Sequence, residues 1–236
     1  CPYESSYMVP VVQLGLTDYV TALGIQQRLH SRVANGELPA VLLLLNHPHV
    51  YTIGRRGNPE DIHLSPKKLT ELGVEIHQAG RGGEVTYHGP GQIVAYPIIN
   101  LKQLGIGPML YIRGLEQILI NALSEFGIPA ESEGHPTGVW AGGAKIAAIG
   151  VRVSRGVTTH GFALNVAPDL NYFDHIVPCG MPECRITSIT AETGPVEIDK
   201  VTSSLIKHFR QHFGFKIKQS SLADVDSQTV VSATNI

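Results

Sequence analysis

The chain has 236 residues, of which 43% are hydrophobic, and a formal net charge of −2. This length and apolar content suffice for one large globular domain. The absence of a basic excess argues against nucleic acid as a partner. No apolar run approaches the ~20 residues that a membrane-spanning helix needs, so we expect no membrane association. Three cysteines are too few for a disulfide scaffold and fit a reducing compartment. With no signal peptide visible, we predict a cytoplasmic protein.

The spacing of apolar residues predicts alternating strands and helices along the chain. In order, the pattern predicts a strand over 9–14, a helix over 17–33, strands over 40–45 and 50–53, a helix over 65–73, strands over 74–78 and 92–99, a helix over 108–126, a hairpin over 145–166, an irregular loop over 167–185, a helix over 198–212 and a strand over 213–218. No repeat or linker interrupts this series. We therefore predict a single α+β domain over residues 1–218 and a polar, poorly ordered tail over 219–236.

The first segment with chemical potential is the glycine-rich string RGGEVTYHGPGQ at 81–92. Glycine lets a backbone approach a ligand closely, and Arg81, Tyr87 and His88 add a charge, an aromatic surface and a titratable ring. The alternative is a long glycine turn without function. The string is neither a Walker A loop nor a dinucleotide fingerprint.

The second segment is GGAKIAAIG at 142–150, in which Lys145 stands where glycine gives way to an apolar strand. A lysine among apolar neighbours is partly desolvated, which suits it to proton transfer. The alternative is a lysine at a strand start with its ammonium group in water.

The third segment places Cys179 between proline and glycine, a turn in which the sulfur can be exposed. A thiolate stabilised by a nearby cation is a strong nucleophile at neutral pH. One alternative is a small buried apolar residue. Another is half of a metal site, formed with Cys184 and either His175 or His160, although structural zinc sites space their cysteines more tightly.

Together these segments resemble the lipoyl(octanoyl) transferase family, the octanoyl-carrier-protein:protein octanoyltransferases of lipoate biosynthesis. The similarity covers about residues 40–190, and the matching strings follow the family's order: HPHVYTIGR at 47–55, RGGEVTYHGPGQ at 81–92, GVW at 138–140, KIAAIGV at 145–151, HGFALN at 160–165 and PCG at 178–180. His49 departs from the proline that the family pattern would have.

The resemblance implies an α+β fold shared with biotin and lipoate protein ligases, a mixed β-sheet flanked by helices. It also implies that Cys179 carries the acyl thioester, while Lys145 favours the thiolate and moves protons. By position, the acyl site would be lined by Arg81, Gly82, Gly83, Glu84, Val85, Thr86, Tyr87 and His88, by Ala148, Ile149 and Gly150, and by Gly161, Phe162 and Ala163.

The same resemblance implies the partners. The donor would be octanoyl-acyl carrier protein, and the acceptors would be lysines of the lipoyl domains of 2-oxoacid dehydrogenases and of the glycine cleavage H protein. Since the substrate arrives activated, no cofactor, metal or nucleotide is expected. Three alternatives stay open: an ATP-dependent lipoate-protein ligase, a cysteine hydrolase that pairs Cys179 with His88, His160 or His175, and a noncatalytic ligand-binding module.

Overall fold

The computed structural model of the chain describes residues 8–181 and 183–228, and of Cys179 it describes the backbone only. These residues form one large and one small β-sheet with helices around them. The strands are β1 (Met8–Leu16), β2 (Ala40–Asn46), β3 (Val50–Ile53), β4 (Glu75–Gln78), β5 (Val85–His88), β6 (Gln92–Ile99), β7 (Ala130–Glu131), β8 (Val139–Ala141), β9 (Ala144–Ser154), β10 (Val157–Asn165) and β11 (Lys216–Gln219). The helices are α1 (Tyr19–Ala34), α2 (Pro66–Leu72), α3 (Pro108–Ser124), α4 (Ile189–Thr193), α5 (Ile198–Phe213) and α6 (Leu222–Ser227), and short 3₁₀ turns span Pro59–Asp61, Leu170–His175 and Pro178–Gly180.

The large sheet is mixed. Its strand order is β11-β1-β2-β6-β10-β9-β8-β7, with β1 parallel to both β11 and β2 and the other neighbours antiparallel. Strands β1 and β2 are parallel because α1 lies between them in the chain, which carries the backbone back to the starting edge. The hairpin expected over 145–166 is present as β9 and β10, and its turn contains Arg155 and Gly156 at φ 53° and 83°.

Helices cover both faces of the large sheet. On one face, Leu115 and Ile118 of α3 and Phe209 of α5 pack against strand residues. On the other face, Leu29 of α1 packs with Leu43 of β2. Full burial of such a side chain stabilises the fold by about 1.5–3 kcal/mol. The mixed sheet flanked by helices agrees with the predicted fold class.

The small sheet has the order β4-β3-β5, with β3 antiparallel to β5. Its side chains Tyr51 and Tyr87 form a separate apolar cluster with Phe173. Strand β5 was expected to be part of a glycine-rich loop. It forms a strand because its Val-Thr-Tyr sequence is β-branched and aromatic, and because β3 supplies an antiparallel partner.

The beginning of the expected tail is folded. Residues 222–227 form α6, whose Val225 is fully buried against the α1 side of the sheet, and Asp226 pairs with Arg28 at 2.9 Å. These contacts replace the predicted disorder for this part of the tail. Residues 229–236 and Cys1 lie outside the described residues. Within the described ranges, no helix combines the length and the apolar character that crossing a membrane requires.

Candidate active site

A cavity of about 460 Å³ is lined by residues from both sheets. From the small-sheet side, the backbone and side chains of residues 81–86 and His88 line it, as the sequence predicts. Tyr87 differs from this expectation: alternation along β5 turns its ring to the opposite face, where it is fully buried beside Phe173.

The large sheet supplies the opposite wall through β9 and β10. Gly150, Ile149 and Ala148 of β9 pair directly with Gly161, Phe162 and Ala163 of β10, and all six predicted residues line the cavity. Gly161 is required here because a Cβ atom would lie 2.2 Å from the carbonyl oxygen of Ala95. Small residues and apolar rings on this wall suit a straight hydrocarbon chain.

Arg81 is a buried cation at the cavity wall. Its guanidinium donates hydrogen bonds to the carbonyl oxygen and the hydroxyl of Thr52, both at 2.7 Å, and to the carbonyl oxygen of Gly82 at 3.0 Å. These bonds hold Arg81 against β3, and its charge acts on the titratable rings nearby.

His88 and His160 line the cavity as neutral rings. Burial lowers the pKa of His88 well below its ordinary value, with further lowering by His47 and Arg81. Burial, followed by the charges of Arg81 and Arg152, lowers the pKa of His160 to about 4. At neutral pH both imidazoles are therefore uncharged.

Two hydrogen bonds fix these histidines. Nδ1 of His88 donates to Oε1 of Gln92 at 3.2 Å, and the amide of Gln92 donates to Oδ1 of Asn165 at 2.9 Å. His160 has φ 57°, a left-handed conformation that is uncommon outside glycine, and its backbone N–H donates to Oε1 of Gln26 at 2.7 Å. The side chain of Gln26 thus holds the strained residue in place from α1.

His49 lies away from the cavity. Its ring stacks on Tyr172 with a centroid distance of 4.2 Å, and its Nδ1 is 2.8 Å from the hydroxyl of Tyr87. Its departure from the family's proline therefore falls in the aromatic cluster behind β5 and does not alter the cavity wall.

Lys145 is the second residue of β9 and is 3% exposed. Its Nζ donates to the carbonyl oxygen of Thr137 at 3.2 Å and lies 5.0 Å from the ring centroid of Trp140. The expectation of a lysine in an apolar setting is met, and the alternative of a solvated ammonium group is not. The carbonyl oxygen and the aromatic face offset part of the cost of burying this ammonium group.

The segment that follows Cys179 forms backbone hydrogen bonds with Lys145. The backbone N–H of Lys145 donates to the carbonyl oxygen of Arg185 at 2.7 Å, and its own carbonyl accepts from the N–H of Thr187 at 3.0 Å. Because this N–H is already used, it does not serve as an oxyanion donor.

The 3₁₀ turn that contains Cys179 lies beside a narrow cleft that shares Thr86, Lys145, Ala148 and Ala163 with the cavity wall. Pro178, one residue before the cysteine, lines this cleft together with Lys145 and Thr86. On the other side of the cysteine, a Cβ atom at Gly180 would lie 3.5 Å from Cγ of Glu84. The two neighbours of Cys179 therefore lie beside both the lysine and the glycine-rich segment.

Several residues of the site were not singled out as site residues from the sequence. Tyr19 of α1 lines the cavity, and Thr137 and Trp140 hold the lysine. The GVW string at 138–140 belongs to the family pattern and was the available signal for Trp140. No sequence signal marks Tyr19 as a site residue, because only the packing of α1 brings its ring to the cavity.

Among the residues that the structure describes, no group of three or more His, Cys, Asp or Glu side chains is arranged to hold a metal ion. Cys184 is a half-buried thiol whose Sγ lies 3.8 Å from the carbonyl oxygen of Arg185.

The chain is similar to known proteins over most of its length. Residues 18–210 match the family described as the lipoyl protein ligase A/B catalytic domain. The octanoyltransferase of Caldicellulosiruptor saccharolyticus is 46% identical over 220 residues, covering 92% of this chain and 93% of that protein. The mitochondrial octanoyltransferase LIP2 of Arabidopsis thaliana is 43% identical over 191 residues, covering 80% of this chain and 81% of that protein.

Solved structures show the same fold. A lipoate-protein ligase A bound with ATP superposes with a TM-score of 0.73 at 18% identity, covering 91% of this chain and 89% of that chain. The apo biotin protein ligase of Aquifex aeolicus gives a TM-score of 0.50 at 15% identity, covering 92% of this chain and 74% of that chain. The predicted biotin/lipoate protein ligase-like fold is confirmed. The resemblance found in the sequence is confirmed as well: this chain belongs to the lipoyl protein ligase A/B catalytic domain family and is a transferase similar over most of its length to octanoyltransferases.

Proposed function

We propose that this octanoyltransferase takes its acyl group from octanoyl-acyl carrier protein, holds it as a thioester on Cys179 and transfers it to a lysine amine of a lipoyl domain. The acceptors would be the lipoyl domains of 2-oxoacid dehydrogenases and the glycine cleavage H protein, in the cytoplasm. The observation that carries the proposal is the burial of the Lys145 ammonium in a cleft that it shares with Pro178, next to Cys179.

In the first half-reaction, the Cys179 thiolate attacks the carbonyl carbon of the donor thioester. A new carbon–sulfur bond forms, the bond to the carrier sulfur breaks, and Lys145 gives a proton to the departing thiolate. The neutral Lys145 amine then takes a proton from the attacking acceptor amine. The amide bond forms, Cys179 leaves as thiolate, and the lysine ammonium is restored.

The cavity supplies the binding energy for the acyl chain. Its walls include Val94, Ile149 and Phe162, and octanoyl burial against them stabilises the complex by about 0.8 kcal/mol per methylene group. The neutral state of His88 and His160 fits this role, because a neutral imidazole accepts an apolar chain beside it at a lower desolvation cost than an imidazolium would.

Transfer without nucleotide distinguishes this function from that of an ATP-dependent ligase. Octanoyl carrier protein, the enzyme and a lipoyl domain are mixed after apyrase treatment in the presence of EDTA, and the acceptor mass is followed. We expect the acceptor to gain the octanoyl mass, and the Cys179→Ser variant to give no gain. A strict requirement for ATP and magnesium, with free octanoate as the better donor, would assign the chain to the ligases instead.

A further inference from the structure

Glu116 of α3 is a buried carboxylate directed at the segment that holds Lys145. Its side chain is 1% exposed. Oε1 accepts a hydrogen bond from the backbone N–H of Gly138 at 3.3 Å, and Oε2 accepts from Arg113 at 2.7 Å. Burying a carboxylate costs several kcal/mol unless its partners compensate, so these two contacts determine what the side chain does.

Glu116 and Lys145 contact the two ends of one peptide group, the peptide bond between Thr137 and Gly138. The carbonyl oxygen of Thr137 accepts from Nζ of Lys145 at 3.2 Å, and the N–H of Gly138, across the same bond, donates to Glu116. The peptide is thus polarised from both ends, with a carboxylate at its N–H and an ammonium at its oxygen. Hydrogen bonds in such a chain strengthen one another.

The backbone at Gly138 leaves no room for a side chain. Its φ is 139°, and a Cβ atom there would lie 2.7 Å from the carbonyl oxygen of Ala147 and 3.0 Å from Cε of Lys145. The aliphatic stem of the lysine therefore packs directly on this glycine, while Trp140 contacts the ammonium. A shift of the peptide would move the lysine head group.

We propose that Glu116 is a positioning residue for the transfer reaction, acting on Lys145 through the Thr137–Gly138 peptide. The carboxylate orients and polarises this peptide so that its carbonyl fixes the ammonium beside the Cys179 turn. This inference rests on the role proposed above for Lys145. It gives α3 a positioning role at the Lys145 end of the site.

The test compares Glu116→Leu, Glu116→Gln and Lys145→Met with a matched control, Glu125→Gln. Glu125 lies just after α3 and also accepts hydrogen bonds, from Ser204 and Lys207, but on the α5 side. For each variant, kcat and KM for octanoyl transfer, the iodoacetamide alkylation rate at Cys179 by peptide mapping, and Tm are measured.

We expect Glu116→Leu to lower kcat and the alkylation rate by about 3- to 10-fold, the range for one lost hydrogen bond, with KM for the carrier unchanged. Glu116→Gln should recover part of each rate, because its amide oxygen still accepts the Gly138 N–H without the charge. Glu125→Gln should lower Tm at most and leave both rates at the parental value.

Parental rates in both Glu116 variants, with Lys145→Met slowed, would overturn this inference and leave the proposed function intact. Should Glu116→Leu fail to fold, Glu116→Gln decides alone, and parental rates in it would overturn the inference. If Lys145→Met itself has parental rates, the proposed role of the lysine fails and this inference fails with it.

Discussion

The Lys145 ammonium lies over the face of Trp140, 5.0 Å from the ring centroid, while the indole N–H donates to the carbonyl oxygen of Pro136 at 3.0 Å. The hydrogen bond at the ring edge fixes the orientation of the indole, and the ring face supports the cation. A desolvated cation–π contact contributes on the order of 2 kcal/mol. We expect Trp140→Leu to lower turnover by about tenfold in the folded protein, as measured by octanoyl transfer well below Tm.

Trp140→Phe is the control for this contact, since it keeps an aromatic face. It should retain more activity than Trp140→Leu, although phenylalanine attracts a cation less strongly than tryptophan. Equal loss in the two variants, in proportion to their loss of Tm, would mean that Trp140 acts through packing alone.

The charge of Lys145 and its proton transfer can be separated by two substitutions. Lys145→Met removes both, so iodoacetamide alkylation of Cys179 at neutral pH and turnover should both fall. Lys145→Arg keeps the charge, but a guanidinium does not release its proton, so alkylation should stay closer to the parental rate while turnover drops by ~10²–10⁴. If Lys145→Met alkylates and turns over like the parent, a histidine must be the partner of Cys179.

Gly82 tests whether the glycine-rich segment shapes the acyl cavity. A Cβ atom at Gly82 would be 3.5 Å from the carbonyl oxygen of Val151, an ordinary contact, so a side chain fits without backbone strain. Gly82→Val should lower the rate of octanoyl-enzyme formation on the order of tenfold, by filling space that the acyl chain needs, with Tm nearly unchanged.

Gly83 serves as the contrast, because its φ of 87° makes any side chain there strained. Gly83→Val should therefore lower Tm as well as activity. A Gly82→Val enzyme that forms the octanoyl-enzyme at the parental rate would show that the segment is structural.

The buried neutral state of His160 predicts a pH dependence of stability. The pKa of His160 is about 4 in the folded protein and about 6.5 in the unfolded chain. As pH falls from 6.5 to 4, the unfolded chain binds a proton that the folded protein does not, so the free energy of unfolding decreases by about 2–3 kcal/mol.

His160→Asn isolates this contribution, because asparagine tolerates the left-handed φ of 57° and does not titrate. Urea unfolding at pH 7 and pH 4.5 should show a smaller difference for the variant than for the parent. Identical differences would mean that other groups cause the acid sensitivity.

Local patterns in the sequence are sufficient to predict the main helices and strands. The apolar stripe through Leu115 and Ile118 fixed α3, and the paired β-rich runs around Gly156 fixed the hairpin of β9 and β10. The order of the strands in the large sheet and the placement of the small sheet opposite it depend on contacts between distant segments. The periodicity of apolar residues does not encode such contacts.

The candidate site shows the same division. The short motifs identified about half of the residues that line the cavity, because glycine density marks close backbone approach. Which side of β5 the Tyr87 ring occupies depends on the alternation of side chains along that strand. The sequence pattern predicts a loop there, and a loop gives no such alternation. The Thr137–Gly138 peptide contacts Lys145 and Glu116 through its backbone oxygen and N–H, and a sequence carries no signal for such backbone contacts.

The proposed mechanism requires that Cys179 carries the octanoyl group as a thioester. The enzyme is mixed with octanoyl carrier protein without acceptor, its intact mass is measured before and after hydroxylamine, and the adduct is located by peptide mapping. Cys184→Ser is the matched control, since Cys184 is a half-buried thiol of the same loop. We expect one octanoyl adduct on Cys179 that hydroxylamine removes, retained in Cys184→Ser and lost in Cys179→Ser. An adduct on Cys184 or Cys1, or full transfer activity in Cys179→Ser, would contradict the account.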